Sequence, residues 1–446
     1  MNSRSGNRQT IRKMAIVFAI TVAAVALDVA SEAQAVTLST LYAFCSLPKC
    51  ADGRYPAAGL VMDAAGNLYG TTQVGGSSDD GGVVFELIPN ADKSAWQYQL
   101  LHKFCARDCR AGAQPAGGVI LDEAGNLYGV TTNGGANGYG TVYELVRAGS
   151  RWKAKVLLDF CFECAGGQNP ASGLTYAGAA SGAPYDGASP LYGTTEFGGA
   201  HSDGATFGGV VYSLAPVGGA WQQTVLYGFC ALKNCKDGAH PTSPLIVDAA
   251  GDLYGTTRAV TRGKNGGTIF KLTQSGGNWN ESVLYTFCSL PKCTDGSNTY
   301  ESQPLILDAG GNLLGVTAEG GSCGYGGCGG LVFKLDAAGA YSVLYAFCAL
   351  RHCADGQYPG GALLLDDAGN LLGTTSSGGK ADRGSVFELS GSTLKTLYSF
   401  CRGGSPCADG SYPQAGVIMD AGGALYGSTS SGGSGEDGGT VFALTP

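Results

Sequence analysis

The 446-residue sequence predicts an all-β chain folded as a seven-bladed β-propeller of four-stranded antiparallel blades, its N-terminal strand closing the last blade. Three observations carry this expectation. A segment of the type "VMDAAGNLYGTT" (Val61 to Thr72) occurs seven times, the third copy shortened to "LYGTT" (Leu191 to Thr195). A Phe-Cys pair marks each unit, at Phe44, Phe104, Phe160, Phe229, Phe287, Phe347 and Phe400, with steps of 53 to 69 residues. Between these markers the apolar residues fall in short alternating segments bounded by glycine, as short strands and tight turns require.

The units start near Leu41, Leu101, Leu158, Leu226, Leu284, Leu344 and Leu397. Each supplies an apolar-aromatic strand ending in Phe-Cys, a segment such as "AGLVMD" after a proline, then "GNLYGTT", then a segment such as "GVVFEL" (Gly82 to Leu87). Four short strands per tandem unit match one propeller blade. A β-solenoid fits less well, because its coils are shorter and its open ends need polar caps. "TLYAF" (Thr40 to Phe44) is the strand type that ends a unit, and "GTVFALTP" (Gly439 to Pro446) is the type just before it. The first strand is therefore expected to complete the seventh blade.

The Asp-x-x-Gly-Asn core of the repeat reads as a hairpin turn: aspartate accepts backbone hydrogen bonds, glycine supplies positive φ and asparagine tolerates left-handed geometry. Asp63, Asp122, Asp248, Asp308, Asp366 and Asp420 are thus read as turn formers, since a fold reuses a role in every unit and an active site uses it once. Tyr69, Tyr128, Tyr192, Tyr254 and Tyr426 are read as packing residues.

The full pattern, Phe-Cys, Asp-Gly, Pro, Gly-Leu-x-x-Asp-x-x-Gly-Asn-Leu-Tyr-Gly-Thr-Thr, Gly-Gly and Gly-x-Val-Phe-x-Leu in that order, resembles the repeat of the secreted GloVer proteins, also called choice-of-anchor tandem repeat proteins. The resemblance covers Leu41 to Leu444 and implies an exported, propeller-like protein; it brings no catalytic residue with it. Members often end in a surface-sorting segment, whereas this sequence ends at its last strand. The third unit departs from the pattern, carrying "YAGAASGAPYDGASP" (Tyr176 to Pro190) where the hairpin is expected.

Residues 1–35 read as a secretory signal: Arg4, Arg8, Arg12 and Lys13, an uncharged apolar run from Met14 to Leu27, and small residues at Ala33 and Ala35. The apolar run is shorter than the roughly 20 residues of a spanning helix, so no membrane span is expected after cleavage. Removal of this segment takes away four basic and two acidic residues and moves the formal charge from −8 to −10. That argues against nucleic acid or an anionic membrane surface as partners. The expected location is extracellular or periplasmic.

The sixteen cysteines fall into eight close pairs. Seven occupy one slot per unit: Cys45 with Cys50, Cys105 with Cys109, Cys161 with Cys164, Cys230 with Cys235, Cys288 with Cys293, Cys348 with Cys353 and Cys401 with Cys407. The eighth, Cys323 with Cys328, lies in the glycine-rich loop of the fifth unit. Even count, local pairing and an export signal indicate disulfides. Each closes a loop of about six residues and is expected to contribute on the order of 2 kcal/mol. Cys161-Phe-Glu-Cys164 has redox-pair spacing but sits in the structural slot. Zinc is not expected, because pairs in different blades cannot bring four ligands to one point; no metal and no cofactor is assigned.

Four histidines, His102, His201, His240 and His352, share no register, and no Gly-x-Ser-x-Gly elbow or triad order accompanies them. The acidic pairs Asp79-Asp80 and Glu436-Asp437 lack the spacing of a calcium loop. A rigid scaffold places binding residues on its variable loops. The cysteine loops and the glycine-rich loops share one face of the ring, so that face is the expected ligand face, with Asp52, Asp237, Asp295, Asp355 and Asp409 at acidic tips beside His240 and His352. The function expected is a binding or interaction module for an extracellular glycan or protein. The alternative is a carbohydrate-active hydrolase or lyase with its site on that same face, an analogy from fold alone.

Overall fold

The computed structural model describes residues 36–77, 80–106, 108–149, 151–201, 208–259, 266–299, 304–321, 329–433 and 438–446. The expected signal segment 1–35, the expected disulfide partners Cys323 and Cys328, the acidic residue Asp79, and the pair Glu436 and Asp437 lie outside the described residues.

Seven antiparallel sheets follow the seven repeats. Blade I holds Val61–Met62, Leu68–Thr72, Val83–Pro89 and Trp96–Lys103; blade II holds Ala113–Leu121, Leu127–Asn133, Thr141–Ala148 and Arg151–Asp159. Blade III holds Thr175–Tyr176, Leu191–Thr195, Val210–Val217 and Ala220–Gly228. In blade IV both Ala239–Pro241 and Ile246–Val247 pair with Leu253–Ala259, followed by Thr268–Ser275 and Asn278–Thr286. Blade V holds Ile306–Leu307, Leu313–Thr317, Leu331–Leu335 and Tyr341–Ala346; blade VI holds Gln357–Leu365, Leu371–Ser377, Ser385–Ser390 and Thr393–Ser399. Blade VII takes Ile418–Met419, Leu425–Thr429 and Thr440–Thr445 from the C-terminal end and Thr37–Ala43 from the other. That last pairing runs from Thr37 opposite Thr445 to Ala43 opposite Thr440, so the ring closes as the sequence predicts.

The repeat motif now has a physical explanation at each position. Asp63 accepts from the N–H groups of Ala65 and Asn67 (both 2.9 Å) and from the Asn67 side chain (2.8 Å), while Gly66 has φ +85°. Tyr69 then donates to Asp63 (3.1 Å) and to Glu86 (2.8 Å), locking the hairpin to the next strand. The glycine of Tyr-Gly-Thr-Thr makes room for an aromatic ring: a Cβ on Gly70 would stand 2.6 Å from Phe85 Cζ. The second threonine pairs hydroxyls across to the third strand, as in Thr257 with Thr268 and Thr429 with Thr440 (2.8 Å each).

The core sits at the seams. At each of the seven seams the phenylalanine of Phe-Cys packs edge-to-face on a third-strand aromatic of the next blade: Phe44 on Phe85, Phe104 on Tyr143, Phe160 on Tyr212, Phe229 on Phe270, Phe287 on Phe333, Phe347 on Phe387 and Phe400 on Phe442. Centroid distances span 4.9 to 5.4 Å, and each pair contributes roughly 0.5–1.5 kcal/mol beyond its buried area. The seam formed by the closing strand is built like the other six.

Nearest the axis, the first strands of neighbouring blades approach at backbone distance. A Cβ on Gly117 would fall 2.2 Å from Gly173 N, and one on Gly361 would fall 1.9 Å from Gly416 N. Outer strands such as Arg151–Asp159 alternate exposed and half-buried residues, as a rim strand must.

Candidate functional site: the two mouths of the ring

In an up-and-down blade, loops alternate between the two faces. The cysteine loops and the glycine-rich loops open one mouth of the ring, and the Asp-x-x-Gly-Asn hairpins open the other.

Among the described residues seven of the expected disulfides are formed, Cys45–Cys50, Cys105–Cys109, Cys161–Cys164, Cys230–Cys235, Cys288–Cys293, Cys348–Cys353 and Cys401–Cys407. Cys161–Cys164 belongs to this set. The eighth expected bridge, between Cys323 and Cys328, falls on residues 322–328, outside the described residues. The aspartates of these loops, expected at acidic tips, lie inside instead. Asp52 and Asp237 are 0% exposed, Asp295 and Asp355 1%, and Asp409 is half-buried.

Each accepts a tyrosine hydroxyl from the strand before it: Tyr42, Tyr227, Tyr285, Tyr345 and Tyr398, at 2.8 to 2.9 Å. Each also accepts backbone N–H groups of its own loop, as Asp295 does from Ser289 (2.9 Å) and Leu290 (3.2 Å). Burial pushes the Tyr42 and Tyr398 hydroxyls up to about 12, keeping them protonated donors. The loop folds around its carboxylate, which is therefore not presented as an exposed tip of the face. Asp-Gly spacing alone does not reveal this, because an exposed turn uses the same pair.

What lines the mouth is a position of which the sequence singled out one instance, His240. Immediately before the unit proline, Tyr55, Gln114, Asn169, His240, Tyr358 and Tyr412, with Asn298 before Thr299, all adopt left-handed backbone at φ +54° to +60°. A residue before proline is ordinarily pushed to extended geometry, and left-handed backbone costs a side-chain-bearing residue on the order of 1 kcal/mol. Inter-blade hydrogen bonds hold it there. Tyr55, Gln114, Asn169, His240, Tyr358 and Tyr412 donate their N–H to Gly438, Gly81, Tyr139, Gly208, Gly329 and Arg383 of the preceding blade, at 2.8 to 3.1 Å. The proline sits against a glycine of that blade, where a Cβ on Gly82 would meet Pro115 Cδ at 2.6 Å. The backbone is thus the same in every unit and the side chain differs, a polar or aromatic group at the loop-face end of the innermost strand.

These side chains join their neighbours along the ring. Asn133 donates to Gln114 (2.6 Å) and Asn169 to Asn133 (3.4 Å) between blades II and III. Between blades III and IV, Arg258 pairs with Glu196 (3.2 Å), and His240 Nδ1 lies 3.1 Å from the Glu196 carbonyl with its ring against Phe197. Between blades VI, VII and I, Arg383, Tyr412, Tyr55, Ser411 and Ser431 line a pocket of about 480 Å³ beside Cys401 and Cys407. His352, by contrast, sits exposed in the turn Arg351–Cys353, away from these clusters' contacts. His102 packs edge-on against Phe104, and burial pushes it down to about 4.

The hairpin mouth holds a larger cavity of about 870 Å³. Its lining is chiefly apolar, from Val61, Met62, Ile120, Leu121, Tyr176 and Met419. The departure in the third unit forms one wall: Tyr185 exchanges backbone hydrogen bonds with Leu121 and Glu123 of blade II (3.0 Å each), and Ala179–Ser181 touches Ile246–Val247 of blade IV. The polar groups at this rim are satisfied by one another. Asp63 serves its own turn, and Asp420 takes Lys93 at 2.6 Å and Tyr426 at 2.9 Å. Among the described residues no group of three His, Cys, Asp or Glu side chains could hold a metal ion.

Fold and loops together define a disulfide-stapled seven-bladed propeller with a side-chain-variable mouth. The chain belongs to the Gloeobacter/Verrucomicrobia repeat family, whose model matches residues 28–189, 178–351 and 300–446. No curated protein matches it. Among solved structures it is similar to a protein of unknown function from Dyadobacter fermentans DSM 18053, at 12% identity and TM-score 0.45, covering 92% of this chain and 99% of that one. It is also similar to the polysaccharide lyase Uly1 (12%, TM-score 0.47, 87% and 89% covered) and to the GH74 enzyme of Niastella koreensis (15%, TM-score 0.44, 81% and 46% covered). At these identities and scores neither substrates nor residues transfer to this chain.

Proposed function

We propose that the protein is an exported binding module that takes a glycan at its cysteine-loop mouth. The observation that supports this reading is the ring of left-handed residues. A scaffold that fixes seven equivalent backbones and varies their side chains presents a ligand surface, and Tyr55, Tyr358 and Tyr412 supply the flat amphipathic faces on which sugar rings stack. Disulfides fit an oxidising compartment, and among the described residues no helix is long and apolar enough to cross a membrane. The test is binding of the purified protein to an immobilised polysaccharide panel, followed by titration of the best binder with a double variant carrying Tyr55→Ala and Tyr412→Ala. The expected loss is about tenfold or more, with a melting temperature close to that of the parent. Parent-like binding by a folded double variant would contradict the placement.

One observation favours a catalytic version. Glu196, Arg258 and His240 meet at the seam of blades III and IV, a carboxylate, a cation and an imidazole on the same mouth. An enzyme would release new reducing ends or unsaturated products from the polysaccharide that binds, and Glu196→Gln would stop that release while leaving binding in place.

A further inference from the structure

Resting on the glycan reading, we propose that the pocket between blades VI, VII and I takes the anionic group, carboxylate or sulfate ester, of an acidic saccharide, with Arg383 as its counter-ion. Arg383 lines the pocket and its side chain is exposed. It donates to the Tyr412 hydroxyl, and its guanidinium carbon stands 5.1 Å over the Tyr412 ring. The same two residues are joined through their backbones, Tyr412 N–H donating to the Arg383 carbonyl at 2.9 Å. A guanidinium stacked on an aromatic ring and tied at its main chain is a pre-oriented fork, with donors left for bidentate recognition of a planar or tetrahedral anion.

Among the described residues no carboxylate pairs with this fork. Among the described residues the cations of Arg54, Lys93, Lys155, Arg258 and Lys271 pair with carboxylates, and Arg383 is in none of these pairs. The neighbouring Asp382 turns its Oδ1 to the Gly378 N–H at 2.9 Å, and Asp409 is committed to Tyr398 and the Cys401 N–H. Arg402, next to the pocket's Cys401, adds a second cation held 4.1 Å over the Tyr398 ring. In a chain of formal net charge −8, a guanidinium with no carboxylate partner among the described residues, beside two tyrosines and three serines, points to an anionic sugar. The volume of about 480 Å³ lies within the range of ligand clefts, about 300–1,000 Å³.

The experiment is calorimetric titration with three oligosaccharides of equal length: an oligogalacturonate, its full methyl ester, and a sulfated galactan oligomer. The proposal expects the acid or the sulfate to bind about tenfold or more tightly than the ester. Arg383→Gln is expected to abolish that preference and Arg383→Lys to keep part of it, both with melting temperatures near the parent's. If Arg383→Gln fails to fold, the lysine variant and the ester comparison on the parent protein decide. Equal binding of acid and ester at Tyr55 and Tyr412, or equal weakening of both by Arg383→Gln, would overturn the assignment and leave the glycan reading standing. Absence of binding to any saccharide would overturn both.

Discussion

Tyr285 and Tyr341 lie face to face across the seam between blades IV and V, centroids 3.9 Å apart and 6° from parallel, with the Tyr341 hydroxyl donating to the Asp295 carbonyl at 2.7 Å. Tyr42 and Tyr98 repeat the arrangement over Asp52 at the seam of blades VII and I. At the seam of blades III and IV the equivalent position is Glu281, opposite Leu272 as Tyr341 is opposite Leu335. A carboxyl thus replaces a phenol that donated a proton to a carbonyl.

Glu281 is expected to make the fold sensitive to pH. Its Oε1 is buried with no hydrogen-bond partner, and burial, together with the nearby Asp237 charge, pushes it up to about 7 from an ordinary 4.5. A raised folded-state value means the stabilising contribution is complete below about 4.5 and lost as pH rises through about 7. Glu281→Gln removes that loss and should stabilise the protein at pH 8, by on the order of 1 kcal/mol after solvent screening, and little at pH 4.5. Glu281→Tyr, by also restoring the stack on Tyr227, should stabilise at both pH values, and more at pH 8 than at pH 4.5. Thermal melts at the two pH values decide, and equal shifts at both would remove the titration from the explanation.

The triple substitution Asp52→Asn, Asp355→Asn and Asp409→Asn is expected to destabilise strongly. Each amide puts an N–H₂ where a carboxylate oxygen accepted a tyrosine hydroxyl or a backbone N–H, costing about 1–3 kcal/mol per site. Read as exposed tips from sequence, the same residues would tolerate asparagine. Chemical denaturation of the three single variants separates the two expectations.

Close approach of the inner strands can be tested with two glycines. Gly361 and Gly369 both have positive φ, +70° and +82°, so both alanine variants carry similar backbone strain, about 1 kcal/mol. A Cβ at 361 would also strike Gly416 N at 1.9 Å, whereas one at 369 meets nothing within 4 Å. Gly361→Ala should cost several times as much as Gly369→Ala; equal costs would mean that neighbouring inner strands are not in backbone contact.

Ring closure makes the first strand a structural element of the last blade. Deleting residues 36–46 removes the partner of Thr440–Thr445 and the Phe44 contact on Phe85 at once. The truncated chain is expected to melt well below the parent in a single broad transition, and parent-like melting would contradict closure by this strand.

Much of the architecture was legible because its causes are local and repeated. The turn chemistry around Asp63 and Gly66, the Phe-Cys spacing and the mismatch of strand types at the two ends lead directly to blades, seams and closure. The candidate site was less legible. Asp52 and its equivalents look like surface turns, since nothing local says that Tyr42, ten residues earlier, covers the carboxylate. His240 was named only as a loop histidine, and its equivalents Tyr55 and Tyr412 were missed, because a residue before proline argues for extended backbone and only the inter-blade N–H bond reverses that preference. The signal present in sequence was that this one position, fixed before the proline, changes chemistry from unit to unit. Arg383, and the third-unit wall of the hairpin cavity, depend on contacts between different units and carry no local pattern.

A co-crystal structure of the protein with the tightest-binding oligosaccharide of the panel tests the central claim most directly. The account predicts sugar at the cysteine-loop mouth, with a ring on Tyr55 or Tyr412 and an anionic group on Arg383. Sugar bound instead in the hairpin-face cavity, against Met62, Tyr176 and Met419, would contradict it.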